Sequence, residues 1–549
     1  MRDTIYLPNA ETRDRPTTAA RPTTGLRAPM GIAVASTGLG LGIAADALFR
    51  DGMGSVAFAA WIALLTLALV ALVWRSGRAL PREAGLWLIS AVCFASCLAW
   101  RNTGFLQFLD TVATLGCLCL AIIRLREPYR GILAERMRET AVAGVRAGIE
   151  AILGIFPLVL RELVVPGKPT RLASRTRVTV RLALMALAIL LVFGSLLRDA
   201  DPIFASIATI PAVDIGDVFG HALTILFVGG FVAASSRSAL LSPTTNAVPS
   251  GFGFSLGVAE VTTVLGTLNV LFTIFVITQL SWFFGGEGFL RARTGLTAAQ
   301  YARGGFFQLL WVVALVVPVL IVTRGALRDE RALARRHTLL ALPIVALLGT
   351  MIACSMARLN LYVNIYGLTT DRLYPLVFMG WLFAILLWLS VTVLRDWHRP
   401  FAVGVALSAM STLFTLNALD VDAFVARVNV ARASHTLRPD AERLDVQYLA
   451  ELSGGAVPYA VDAVLASHMN VSVDADAQLC VASRRLIERF GPTRAYRGGG
   501  PVDVDGQWRF WNSDDARAKR VVSRHFFELL SVRHASCAVA SASAKGKSA

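Results

Sequence analysis

Two carboxylates stand where carboxylates are rare: Asp46 and Asp110 each fall inside a long apolar stretch. A charged side chain at the centre of a membrane helix costs roughly 3 kcal/mol or more, so such a residue is first read as part of an ion path, a proton relay or a binding site. Asp110 lies well inside its stretch and is the stronger candidate of the two. Asp46 continues a stripe of small residues, Gly31, Ala35, Gly38 and Gly42, and Arg50 follows it by one helical turn. That spacing favours an ion pair near a helix end and leaves a transport or catalytic role open. Glu260 lies near the start of another apolar block, where contact with water is expected.

A third group is the segment ARLNLYVNIYGLTTDRLY, residues 357–374. Continued as a helix, it puts Arg358, Tyr362 and Tyr366 on one face, with Asn360 and Asn364 on the opposite face. Tyrosines at a membrane boundary form an aromatic belt, whereas asparagines one turn apart need hydrogen-bond partners if buried. With Arg372 these residues make a candidate polar site, within the membrane or at its interface, for a polar substrate or a lipid headgroup. No catalytic residue is assigned, because the chain has no serine elbow, Walker motif, HExxH or paired-cysteine motif. GLGLG (38–42) has no strand before it and lies in an apolar block, so it reads as close helix packing. His525, His534 and Cys537 match no metal-ligand spacing, and neither a metal nor another cofactor is expected.

The elements that position these residues are membrane helices. The chain has 549 residues, 55% hydrophobic and 16% charged, against about 25% charged in soluble domains. Its apolar residues fall in blocks of about 20, the length that spans a bilayer as a helix. No alternating segments of about ten residues suggest a β-barrel. The lipid bilayer is therefore the expected environment. The net charge of +16 sits mainly in loops between blocks, so nucleic-acid binding is not expected.

The fold class expected is an all-α membrane protein, a polytopic bundle of about 11 transmembrane helices with a small, mainly helical C-terminal soluble domain. Residues 1–29 read as a disordered cytoplasmic tail and 30–123 as the first four spans, at about 30–48, 55–74, 84–100 and 104–123. Residues 124–181 form a basic cytoplasmic segment. Within it, 146–165 reads as an amphipathic surface helix, with a twelfth span as the alternative. Residues 182–420 hold spans 5–11, at about 182–197, 216–235, 259–284, 304–323, 338–357, 373–394 and 400–419. Residues 421–539 form the soluble domain and 540–549 a disordered tail. Helices are expected at 441–452, 457–468 and 478–490, with a short strand at 506–511. Alternating loops carry 28 Lys and Arg on one side against 8 on the other. That asymmetry places the N-terminus in the cytoplasm, and an odd span count then places the C-terminal domain outside. Three arginines at 291–303 are the weakest point of this assignment. Cys480 and Cys537 are the two cysteines of the soluble domain, either bonded in an oxidising compartment or two separate thiols.

The segments YVNIYGLTTDRLYPLVFMGWL, NVLFTIFVITQLSWFFGG, YARGGFFQLLWV, NVARA and DVQYLAELSGGAVP together resemble an uncharacterised family of bacterial multi-pass membrane proteins, a domain of unknown function. The resemblance covers roughly residues 180–465. It implies an inner-membrane location and no activity. Transport is weakly favoured from the span count, Asp110 and the asparagine pair. The alternatives are an envelope sensor or assembly scaffold that binds an envelope protein through residues 421–539, and a membrane enzyme acting on a lipid-linked substrate.

Overall fold

The computed structural model describes residues 24–126, 148, 158, 215–241, 257–294, 306–325, 331–392, 399–435, 444–468, 473–492 and 508–547. Every extended regular element among them is a helix. In chain order these are α1 (Thr24–Phe49), α2 (Ser55–Arg75), α3 (Arg82–Trp100), α4 (Gly104–Arg126), α5 (Ile215–Leu240), α6 (Val258–Thr294), α7 (Phe306–Gly325) and α8 (Arg331–Tyr366). They continue as α9 (Thr370–Thr392), α10 (Arg399–Leu419), α11 (Val421–His435), α12 (Val446–Glu451), α13 (Val457–His468), α14 (Val473–Phe490), α15 (Ser513–Arg524) and α16 (Phe526–Lys547). Two 3₁₀ turns, Gly454–Ala456 and Trp508–Phe510, join the later helices.

The chain is an all-α membrane protein, and side-chain direction says why. Helix α3 buries Ala84, Leu88, Ala91 and Ala95 while turning Leu86 and Ile89 outward. Large apolar side chains also point outward from α1 (Leu39, Ile43), α2 (Leu64, Leu67) and α6 (Leu271, Ile274, Ile277). A soluble helix does the reverse; in lipid, small residues face the neighbouring helix. Eight helices among the described residues are long and apolar enough to cross a membrane, and a bent pair, 403–419 with 421–433, makes up to nine. The expected count of eleven is not reached among the described residues. The expected span at 182–197 and most of the expected amphipathic helix at 146–165 lie outside them. Helix α7 offers only the shorter apolar piece Leu315–Arg324.

Two compact units emerge. The first comprises Met1–Ile43, Ala68–Leu80 and Ile149–Ser242. Within it, the small-residue stripe of α1 meets α5 backbone to backbone. A Cβ on Gly38 would lie 2.7 Å from Ala233 Cβ, and one on Gly42 would lie 3.1 Å from Gly229 Cα. The second unit comprises Ala44–Leu67, Pro81–Gly148 and Pro243–Ala549. One of its cores joins α6 to α10 through Leu265, Leu320, Ile344, Leu348, Leu389 and Phe401. The other fills the C-terminal domain with Val425, Leu449, Val461, Leu486 and Leu529, and takes in Leu106, Leu368, Leu373 and Leu416 from the membrane helices and their turns. The domain therefore shares a core with the span ends.

Three local expectations differ from the structure. Helix α1 starts at Thr24, inside the expected N-terminal tail. Helix α16 runs to Lys547, through the expected irregular tail; Ala and Lys are good helix formers and no proline intervenes. The expected strand at 506–511 is instead a 3₁₀ turn, closed by Trp511 N–H donating to Trp508 O at 3.2 Å. Its aromatic composition suggested a strand, but no second strand is present among the described residues to pair with it.

Candidate functional site

The short turn between α3 and α4 is Arg101-Asn102-Thr103, and each of its side chains reaches the C-terminal domain or the break before it. Arg101 caps the end of α3, with its N–H donating to Cys97 O at 2.8 Å. Its Nε donates to Asn417 O at 2.7 Å, and its Nη1 donates to Asp420 Oδ2 at 2.8 Å and to Asp514 Oδ1 at 3.0 Å. Asn102 Nδ2 donates to both oxygens of Asp515 at 2.8 Å. Thr103 Oγ1 donates to Asp422 Oδ2 at 3.2 Å. Gln107, one turn into α4, fixes the loop by donating to Arg101 O at 2.9 Å.

The acids are held just as locally. Asp420 sits between α10 and α11, where the axis bends by 56°. Its φ of 56° is left-handed, a region Asp tolerates better than most residues. Its Oδ1 caps α11 by accepting from Ala423 N at 3.2 Å, which leaves Oδ2 facing Arg101. Asp422 accepts from Ser453 N at 2.9 Å. The Ser453-Gly454-Gly455 stretch is short of side chains for a reason: a Cβ on Gly455 would strike the Asp420 carboxylate, and one on Gly454 would lie 2.7 Å from the Asp514 carbonyl. Asn512 caps two helices at once. Its Oδ1 accepts from Asp514 N at 2.9 Å to start α15, while its Nδ2 donates to Leu98 O at 2.9 Å and Arg101 O at 3.0 Å to close α3.

Arg101, Asp420, Asp422 and Asp514 are all buried, so this knot sets one guanidinium against several carboxylates away from water. Asp514 shows the consequence. Burial first, and the Asp420 carboxylate next, push its carboxyl up to about 6, with Arg101 pulling back only in part. Asp514 Oδ2 and Asp422 Oδ1 have no hydrogen-bond partner. Chemically the arrangement can clamp the domain and take up or release a proton. Among the described residues no group of three His, Cys, Asp or Glu is placed to hold a metal ion.

A second clamp lies at the α8–α9 turn. Gly367 has φ +83°, and a Cβ there would crowd Asn429 Oδ1 at 3.1 Å. Asn429 reads the neighbouring peptide on both sides, accepting from Leu368 N at 2.9 Å and donating to Leu368 O at 2.6 Å. Thr370 N donates to Tyr448 Oη at 3.0 Å. Arg432 donates to Val363 O at 2.9 Å.

The residues singled out from sequence fall in four places. Asp46 pairs with Arg50 at 3.4 Å, one turn along α1. Asp110 is fully buried and accepts from Asn417 Nδ2 at 2.9 Å. Asn360 and Asn364 are exposed on α8. Arg372 lies 4.4 Å over the Tyr362 ring and donates to Tyr366 O at 3.0 Å. Cys480 and Cys537 form a disulfide with Cα atoms 4.9 Å apart. The sequence reading missed Arg101, Asn102, Thr103, Asn417, Asp420, Asp422, Asn512 and Asp514. The signal available was the polar cluster RNT between two apolar blocks and the DVD at the end of another.

Neither the curated proteins nor the solved structures returned a match to this chain. A family model does match, over residues 88–463, and its description is a domain of unknown function, DUF4153. The match begins in α3, well before the residue 180 at which the resemblance was expected to start, and it takes in the RNT turn, Asp420 and Asp422. On that coverage the chain belongs to the DUF4153 family.

Proposed function

We propose that this protein is a membrane-anchored envelope sensor or assembly scaffold whose C-terminal domain works from the extracytoplasmic face. The observation that carries the reading is the Arg101 knot: buried, charged and fully specified hydrogen bonds are concentrated where the domain meets the span ends. Two further features support the sidedness. The domain docks on the turns that hold Asp51, Arg101 and Thr370, which are on the side poor in Lys and Arg. The Cys480–Cys537 disulfide suits an oxidising compartment. An envelope protein bound through residues 421–539 is the expected partner, and a bacterial inner membrane the expected location.

Transport is the second reading, and one observation favours it. Asp110 Oδ2 and Asn417 Oδ1, both buried between α4 and α10, have no hydrogen-bond partner. Each of these oxygens is an acceptor that a proton or a small polar donor would satisfy.

One complementation experiment separates the two. In cells lacking the gene, under envelope stress, the scaffold reading expects Asp46→Ala, Asp110→Asn, Asn364→Ala and Asp371→Ala to complement, and deletion of residues 421–549 to fail. Failure of Asp110→Asn in a chain that reaches the membrane at normal levels would favour transport. Loss at Asp371→Ala alone would favour an enzyme. Alkaline phosphatase fused after residue 430 is expected to be active; an inactive fusion with a fluorescent GFP fusion at the same point overturns the sidedness.

A further inference from the structure

Water-facing domains rarely expose several large aromatic side chains side by side. Here the C-terminal domain exposes Trp508 (55%), Phe510 (38%) and Trp511 (53%) within one turn. The turn is 3₁₀, and Trp511 N–H donates to Trp508 O at 3.2 Å, so the two indoles stand one turn apart. The turn is clasped. Arg509 Nη1 lies 2.6 Å from Asp51 Oδ2, a Cβ on Gly52 would touch the Phe510 ring at 3.4 Å, and the Arg509 carbonyl lies against Gly54. Asp51, Gly52 and Gly54 form the link between α1, which ends at Phe49, and α2, which starts at Ser55. Both helices are long and apolar enough to span the membrane. The turn is therefore held at the level where two spans leave the hydrocarbon. Met53, in the same link, is also exposed, and further along α2 Leu64 and Leu67 point outward. Indoles are favoured at that level, with the ring in the acyl boundary and the N–H among headgroups.

We propose that Trp508 and Trp511 form an interfacial anchor that seats the C-terminal domain in the phospholipid headgroup layer on its own side of the membrane. The occupant of this surface is the lipid interface, which α1 and α2 leave at the link that clasps the turn. The anchor works with the Arg101 knot: the knot fixes the domain to helix ends, and the two indoles fix its height against the bilayer.

The test uses the full chain in native membranes, with p-benzoylphenylalanine placed at 508, 511, 67 or 484. Position 67 lies on the lipid-facing side of α2, and 484 is an exposed position on α14. Irradiation is expected to give adducts of phospholipid mass at 508, 511 and 67, and none at 484. Adducts at 508 and 511 with protein alone, or no lipid adduct there while 67 gives one, overturn the proposal. A second measurement uses a conservative variant, so that misfolding does not decide the result. In the double variant Trp508→Phe with Trp511→Phe, quenching of tryptophan fluorescence by lipids brominated near the carbonyl is expected to fall, and quenching by lipids brominated near the chain end to stay unchanged. Unchanged shallow quenching overturns it as well.

Discussion

Replacing Arg101 with alanine is expected to undock the first turn of α15 without unfolding the membrane helices. The guanidinium donates three hydrogen bonds, to Asn417 O, Asp420 Oδ2 and Asp514 Oδ1. Both carboxylates are buried, so its removal leaves two buried acids without their counter-charge. Breaking a buried ion pair from one side costs about 3–5 kcal/mol, most of it from the charge left behind. A loss of about 3 kcal/mol raises the undocked population roughly a hundredfold, since about 1.4 kcal/mol is a factor of ten. Hydrogen exchange reads that population directly. The amides of Ser453, held by Asp422, and of Asp514, held by Asn512, are expected to exchange about a hundredfold faster in Arg101→Ala. Amides in the α6–α8 core, around Leu265 and Leu348, are expected to keep their rates. The double-mutant cycle sharpens this: in an Asp514→Asn background the same Arg101→Ala change is expected to cost less, by about 1–3 kcal/mol of coupling. Acceleration below tenfold, or strictly additive effects with Asp514→Asn, would refute the reasoning.

Three further outcomes follow from the same contacts. Asp514 is pushed up to about 6 from 3.8 when docked, so the docked state holds a proton that the undocked state releases. Docking is then firmest below about pH 4 and weakens as pH rises through about 6, by on the order of 2–3 kcal/mol; exchange rates across that range are expected to show the slope, and Asp514→Asn to flatten it. Removing the Cys480–Cys537 bond, which spans 57 residues, is expected to destabilise the C-terminal domain by about 2–4 kcal/mol, read as a lower unfolding temperature for its amides while the span helices keep theirs. Gly455→Ala would press a methyl into the Asp420 carboxylate and is expected to mimic Arg101→Ala in hydrogen exchange, whereas Gly40→Ala, where nothing lies within 4 Å, is expected to be neutral.

What could be read from the sequence was what repeats or runs locally. The eight expected spans that coincide with long apolar helices were legible because apolar blocks of span length announce themselves. The Gly31–Gly42 stripe was legible because small residues at helical spacing mark one face, and Gly38 and Gly42 do meet Gly229 and Ala233. The Arg101 knot was not legible, because its partners stand 316 to 413 positions away and no local pattern records such a distance. Arg101 entered the sequence reading only as one positive charge in a sparse loop. Asn417 sat inside an apparent span, and Ser453-Gly454-Gly455 read as a helix break when its real constraint is the space taken by Asp420 and Asp514. The Trp508–Phe510 turn failed for the opposite reason: local composition spoke for a strand, and the clasp on Asp51, Gly52 and Gly54 decides otherwise.

Three of the segments that carry the family resemblance, at 362–382, 429–433 and 445–458, lie apart along the chain, yet they converge. Gly367 and Leu368 from the α8–α9 turn meet Asn429 from α11, and Thr370 meets Tyr448 from α12. Ser453 meets Asp422, which in turn meets Thr103. All of these lie within the matched residues 88–463. Asp514 and Asn512 lie beyond it. Within the matched part Arg101 already has one carboxylate, Asp420, and the Asn417 carbonyl. Helix α15 adds a second acid to a cation that already has one, and burial pushes that acid's carboxyl up to about 6. The contact with Asp420 closes a bend in the chain, and the contact with Asp514 fastens α15 to it and weakens as pH rises through about 6.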